Sequence, residues 1–87
     1  MSTIYSVSNV DMDENKVTLH ESEKAAYHHI VRVLEKSARD GDDVAAAMPE
    51  IRENFRAGQF SSILEVLKEI YDGTGMSFTV TEHDYPL

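Results

Sequence analysis

The sequence predicts an α+β fold in which three to four helices pack on a small antiparallel sheet formed by the N- and C-terminal strands. Three observations lead to this prediction. A stretch rich in β-branched and aromatic residues lies near each end of the chain. Apolar residues recur at helical spacing between these two stretches, and glycines separate the helical segments. The length of 87 residues fits one domain, residues 1–87.

Residues 1–20 are predicted to form a strand or a hairpin. The β-branched and aromatic residues fill 3–10, and a polar turn follows. The next apolar residues, 17–19, form either a short return strand or the lead-in to a helix. Thr18 and Glu21 have the spacing of a capping box, and Ser22 is a second candidate for the helix cap.

Residues 21–72 are predicted to be helical, and the first helix covers 21–39. One face of this helix is apolar and comprises Ala26, Tyr27, Ile30, Val33, Leu34 and Ala38. The opposite face is basic and carries Lys24, His28, Arg32, Lys36 and Arg39. Gly41 is the stop signal.

A second helical segment is predicted to start at Val44 and to be interrupted by Pro49. Proline lacks the backbone N–H and disfavours a helical conformation in the residue before it, so Met48 is expected to be a boundary. We therefore expect either two short helices or one kinked helix, closed by Gly58.

The last helix is predicted over 59–71, with an apolar stripe followed by a glycine-containing turn. Residues 76–82 then alternate between apolar and hydroxyl side chains, which is typical of a strand with one buried face. Phe78 and Val80 belong to the apolar side of this strand. Residues 84–87 are expected to form a loose tail.

The charge of the chain limits its partners. Sixteen Asp and Glu residues stand against eight Lys and Arg, a formal net charge of −8. This balance disfavours direct binding to nucleic acid and to anionic membranes, and it favours a basic protein partner. The sequence has no apolar run of about 20 residues and no signal-peptide pattern at its start, so the expected location is the cytoplasm.

Metal and catalytic motifs are incomplete. Asp11, Asp13 and Asn15 begin like a calcium-binding loop, but Lys16 stands where the loop needs glycine and Ser22 where it needs glutamate. The four histidines lack the i, i+4 spacing of a helical metal pair, and the chain has no cysteine. No nucleophile elbow or phosphate-binding loop is present. We therefore predict no metal site, no cofactor and no catalytic residue.

In size and charge the chain resembles the small acidic inhibitors of phages and plasmids, such as anti-CRISPR and anti-restriction proteins, and bacterial immunity proteins or antitoxins. The resemblance includes no motif, so it assigns no role to any residue. It implies a non-enzymatic, protein-binding domain of inhibitor or regulator type. Such a domain presents carboxylates to a basic site on its partner, one that can also be a nucleic-acid-binding site.

The predicted contact surface is a set of carboxylates in the helical region. Its members are Glu65, Glu69, Asp72, Asp40, Asp42, Asp43, Glu50 and Glu53. The alternative interpretation is that these side chains serve solubility alone. A second hypothesis is a homodimeric regulator or assembly factor, which uses Val31 and Val66 at the margins of the apolar stripes or an edge strand. A metal-binding protein or enzyme that uses the histidines is the third.

Overall fold

Two strands, three helices and a final strand follow one another in the computed structural model, which describes residues 2–10, 14–39 and 41–85. The elements are β1 (Ser2–Val10), β2 (Asn15–His20), α1 (Glu23–Ser37), α2 (Asp43–Arg56), α3 (Phe60–Ile70) and β3 (Ser77–Tyr85). The order confirms the α+β class, with three helices between strands near the two ends of the chain.

The three strands form one antiparallel sheet with β1 at its centre, in the order β2-β1-β3. The strands from the two ends of the chain therefore pair, as predicted. The return strand is also confirmed, because β2 pairs with β1 as a hairpin. β3 runs past its predicted end at Glu82 to Tyr85, since the first residues of β1 provide its pairing partners there. Residues 84 and 85 of the predicted tail thus belong to the sheet, and 86–87 lie outside the described residues.

The two faces of the sheet differ in composition. The face that packs on the helices carries Val7, fully buried, with Tyr5, Phe78 and Val80 partly buried around it. None of the hydrophobic side chains described on the other face packs against this core, and we call that face the open face. Its described side chains are Ile4, Ser6, Ser8, Val10, Asn15, Val17, Leu19, Ser77, Thr79, Thr81 and His83.

All three helices contribute to one core against the sheet. The largest fully buried side chains of the helices are Ile30 and Leu34 of α1, Ile51 of α2 and Ile63 of α3. Each lies on the apolar stripe of its helix, so hydrophobic periodicity explains the orientation of all three. The opposite sides of the helices are charged, and among the described helices none is both long and apolar enough to cross a membrane.

One prediction about α1, the cap at Ser22, is confirmed, and two need correction. Its N-cap is Ser22, whose Oγ accepts a hydrogen bond from the Ala25 N–H at 3.1 Å. The capping box starting at Thr18 does not form, because Thr18 lies within β2. Val31 is buried, with 6% of its surface exposed, and not marginal. The reason is that α2 packs along this flank of α1, where Val31 and Phe55 line a common groove.

Pro49 does not divide the second helical segment. α2 is one helix from Asp43 to Arg56, so the predicted boundary at Met48 is wrong. The side chain of Pro49 is exposed, whereas Met48 and Ile51 are buried. These core contacts on both sides of the proline hold the two parts of α2 on the same surface, which offsets the missing backbone hydrogen bond.

Candidate partner-binding surface

The predicted carboxylates lie on α2, on α3 and at the ends of these helices. Asp43, Glu50 and Glu53 are on α2, and Glu65 and Glu69 are on α3; all five are exposed. We call these five residues the acidic surface. Asp72 is exposed in the turn after α3, and Asp42 precedes α2. Asp40 lies outside the described residues.

Helix geometry places two of the three α2 carboxylates of the acidic surface away from α1, whereas Oε2 of the third, Glu53, lies 3.8 Å from Nη1 of Arg56. Arg52 faces α1, because its Nε donates a hydrogen bond to Oε1 of Glu35 at 3.4 Å. Side chains two residues apart on a helix point about 160° apart, so Glu50 projects from the opposite flank of α2. Asp43 is seven residues before Glu50, close to two full turns, and projects in nearly the same direction.

The α3 carboxylates lie away from the sheet. Lys68 borders a cavity of about 400 Å³ between α3 and β3, together with Leu64 and Phe78. Glu65 and Glu69 are on the side of α3 turned away from this cavity. They are four residues apart, so they form one row along the helix.

The two helices bring their acidic ends together. The start of α2 and the end of α3 share a cavity of about 260 Å³, lined by Asp42, Asp43, Ile70 and Tyr71 among others. Residues 57–59 connect α2 to α3, and such short connections join antiparallel neighbours. The start of α2, which carries Asp43, therefore lies beside the end of α3.

Asp42 differs from the other carboxylates because it caps a helix. Its Oδ1 accepts a hydrogen bond from the Val44 N–H at 3.4 Å. A carboxylate at this position satisfies a free N–H of the first turn and interacts favourably with the helix dipole. Asp42 thus has a structural role that the members of the acidic surface lack.

The basic side chains of α1 and α2 collect on the other side of the helical layer, whereas Lys68 is exposed on α3. The predicted row on α1 is exposed along Lys24, His28, Arg32 and Lys36. Two arginines of α2, Arg52 and Arg56, extend it across a groove of about 460 Å³. These two arginines were not among the residues predicted from the sequence. Their positions follow from the helical periodicity of α2 once α2 is known to lie beside α1.

Three of the four histidines, His20, His28 and His29, line one cavity of about 420 Å³, and the fourth lies elsewhere. The rings of His20 and His29 are 4.9 Å apart, while the ring of His28 lies 5.9 Å from Phe55. His83 is on the open face, where its Nε2 is 2.9 Å from Oγ of Ser6. In the described ranges no group of three or more metal-ligating side chains is placed to hold an ion.

The Ser6–His83 pair has the distance of a nucleophile–base contact, and both side chains are half-buried. Neither residue lines any of the five described cavities. A hydrolytic site also needs a place for the substrate beside the nucleophile, and none of these five cavities provides one there.

Comparison with known proteins gives no relatives. No protein family, no curated protein and no solved structure matches this chain. The arrangement of its own residues is therefore the basis for a functional proposal.

Proposed function

We propose that this chain is a non-enzymatic binding protein of inhibitor or regulator type, which presents the acidic surface to a basic site on a partner protein. The observation that carries the proposal is the separation of charge within the helical layer. Four members of the acidic surface, Asp43, Glu50, Glu65 and Glu69, are exposed on α2 and α3 away from the arginines of α2. Those arginines lie on the flank next to α1, and the fifth member, Glu53, forms an ion pair with Arg56 at 3.8 Å. A partner approaching the α2–α3 side meets carboxylates first.

The acidic surface lies on helices that are packed firmly against the core. Ile51 on α2 and Ile63 and Leu67 on α3 are buried beneath it. Carboxylates on packed helices keep their relative positions, which lowers the entropy lost on binding. Those four and seven residues apart are separated by about 6 Å and about 10 Å along a helix axis. Such rows of negative charge resemble a phosphate backbone in sign and regularity, which favours a nucleic-acid-binding site as the target.

The uneven charge distribution also supports fast association. The basic groove between α1 and α2 and the acidic surface give the molecule a dipole in addition to its net charge of −8. Such a field orients the protein as it approaches a positive patch, and the rate gain falls as salt screens the charges. The proposal therefore predicts binding that weakens with ionic strength.

The test is an affinity purification from a lysate of the source cell, eluted with a salt gradient and followed by mass spectrometry. Three forms of the protein serve as baits: the wild type, a Glu65→Gln/Glu69→Gln variant, and a Glu21→Gln/Glu23→Gln control. The two variants lose the same charge, but the control loses it at the start of α1, away from the acidic surface. A captured protein is then purified and titrated with each form by calorimetry at two salt concentrations.

The proposal expects a nucleic-acid-binding or otherwise basic protein that binds the wild type and the control alike. The Glu65→Gln/Glu69→Gln variant should bind at least about tenfold more weakly, a change of about 1.4 kcal/mol. Nucleic acid should compete with the wild type for the captured protein. Equal binding by all three forms, or binding that is insensitive to salt, would contradict the proposal.

A further inference from the structure

We propose that the open face of the sheet packs against the same face of a second copy of this chain, forming a weak two-fold dimer. This surface lies on the opposite side of the sheet from the helices and the acidic surface. The inference is therefore independent of the proposed function, and either can fail alone.

The first observation is that the open face carries no Asp, Glu, Lys or Arg at any of its described positions. Charged residues make up 28% of the chain. Those in the described strands, Lys16, Glu82 and Asp84, lie at register positions on the helix side. An exposed surface from which charge is absent is typical of the centre of a protein interface.

The second observation is a hydrophobic group on this face. Among the described residues, the large hydrophobic side chains that stand exposed are Val17 and Leu19 of β2, at 61% and 65%. They project from the same face as Ile4 and Val10 of β1, which are half-buried. Clustered apolar side chains on an otherwise polar surface mark an interaction site.

Charge identifies the occupant as a second copy. Each chain carries a net charge of −8, so two copies repel each other when charged surfaces approach. Contact between two open faces opposes no like charges, because neither face carries any at its described positions. In a two-fold dimer the same surface of each copy forms the interface, so Val17 and Leu19 of one copy contact apolar side chains of the other. A basic partner would find no carboxylate here.

The size of the face sets the strength of the dimer. Three strands up to nine residues long give a face of about 30 Å by about 14 Å. Two such faces in contact bury roughly 800 to 1,000 Å² in total, at the low end of specific interfaces. Small serine and threonine side chains allow the sheets to approach the usual spacing of about 10 Å. We expect a dissociation constant in the micromolar range, so the dimer forms as concentration rises.

The experiment is sedimentation equilibrium of the full chain from about 1 μM to about 1 mM. The wild type should pass from the 9.8 kDa monomer to a dimer within this range. Leu19→Glu and Thr79→Glu place a charge on opposite edges of the open face, and each should raise the dissociation constant at least about tenfold. Ser61→Glu adds the same charge to the exposed side of α3 and should leave it unchanged. Circular dichroism confirms that each variant is folded.

Three results would overturn the proposal. The first is a wild type that stays monomeric up to 1 mM. The second is a dimer that both sheet variants leave intact, which would place the interface elsewhere. The third is a dimer that Leu19→Glu breaks and Thr79→Glu does not, which would indicate edge-to-edge pairing of β2 instead of face packing. The Glu65→Gln/Glu69→Gln variant should dimerise like the wild type, which separates this test from that of the acidic surface.

Discussion

The imidazole rings of His20 on β2 and His29 on α1 lie with their centroids 4.9 Å apart, which joins the edge of the sheet to the first helix. Burial, and then the nearby His20 and Lys36, lower the pKa of His29 below its ordinary value of 6.5. In the unfolded chain these influences are absent, so the unfolded state binds a proton at higher pH than the folded state does.

We therefore predict that stability falls as the pH drops from 6.5 through the lower folded pKa of His29. The measurement is the midpoint of urea unfolding between about pH 7.5 and about pH 5, above the range in which ordinary carboxylates titrate. His29→Gln should flatten this dependence. His28→Gln is the matched control, because it removes the neighbouring histidine and keeps the His20–His29 pair. An unchanged slope in His29→Gln would contradict the assignment.

Replacing Pro49 with alanine should stabilise the protein. Pro49 is exposed inside α2, and alanine restores a backbone donor to the helix without disturbing the core. The intrinsic helix preference favours alanine over proline by about 3 kcal/mol. Alanine also makes the unfolded chain more flexible, which offsets about 1 kcal/mol of this gain. We expect a gain of about 1 to 2 kcal/mol in urea unfolding. A loss of stability would show that the proline ring makes a contact that α2 needs.

Replacing Ser22 with alanine should destabilise the protein by about 1 kcal/mol, because the Ala25 N–H loses the acceptor that caps α1. Glu21→Ala tests the alternative cap, since Glu21 is the partner that a capping box from Thr18 requires. It should change the free energy of unfolding by less than about 0.5 kcal/mol. A larger loss of stability in Glu21→Ala than in Ser22→Ala would support the capping-box interpretation instead.

Replacing Ile51 with alanine should cost about 2 to 5 kcal/mol, because its side chain is completely buried between α2 and the rest of the core. Val17→Ala removes apolar atoms from an exposed position and should cost far less in dilute solution, where the chain is monomeric. Urea unfolding at low protein concentration measures both. Equal losses would mean that Val17 is covered in the monomer.

Much of the fold could be predicted because its signals are local. The alternation at Phe78 and Val80 places both side chains on the helix side of β3, where they pack against the core. The helical spacing of Ile30 and Leu34 likewise gives the buried face of α1. Each pattern is contained within its own element, so no knowledge of the packing is needed to interpret it.

The remaining features depend on neighbours that the sequence does not reveal. Val31 is marginal on the apolar stripe of α1 and becomes buried only because α2 covers that flank. Pro49 is a strong local stop signal, but the core contacts of Met48 and Ile51 override it. The carboxylates of α2 and α3 were predicted as candidates, yet the position of Glu50 away from Arg52 follows from how α2 packs on α1, and Glu53 pairs with Arg56 instead.

The central position of β1 has a consequence for the order of folding. β1 pairs with β2 next to it in the sequence, but its other neighbour, β3, begins at Ser77. During synthesis the hairpin and the helices can therefore form early, while one side of the central strand stays unpaired until residues 77–85 have been translated. Closing so long a loop is slow, and an unpaired strand is prone to aggregation in the meantime. The docking of β3 is thus the step that decides whether a nascent chain completes its fold or is bound by chaperones.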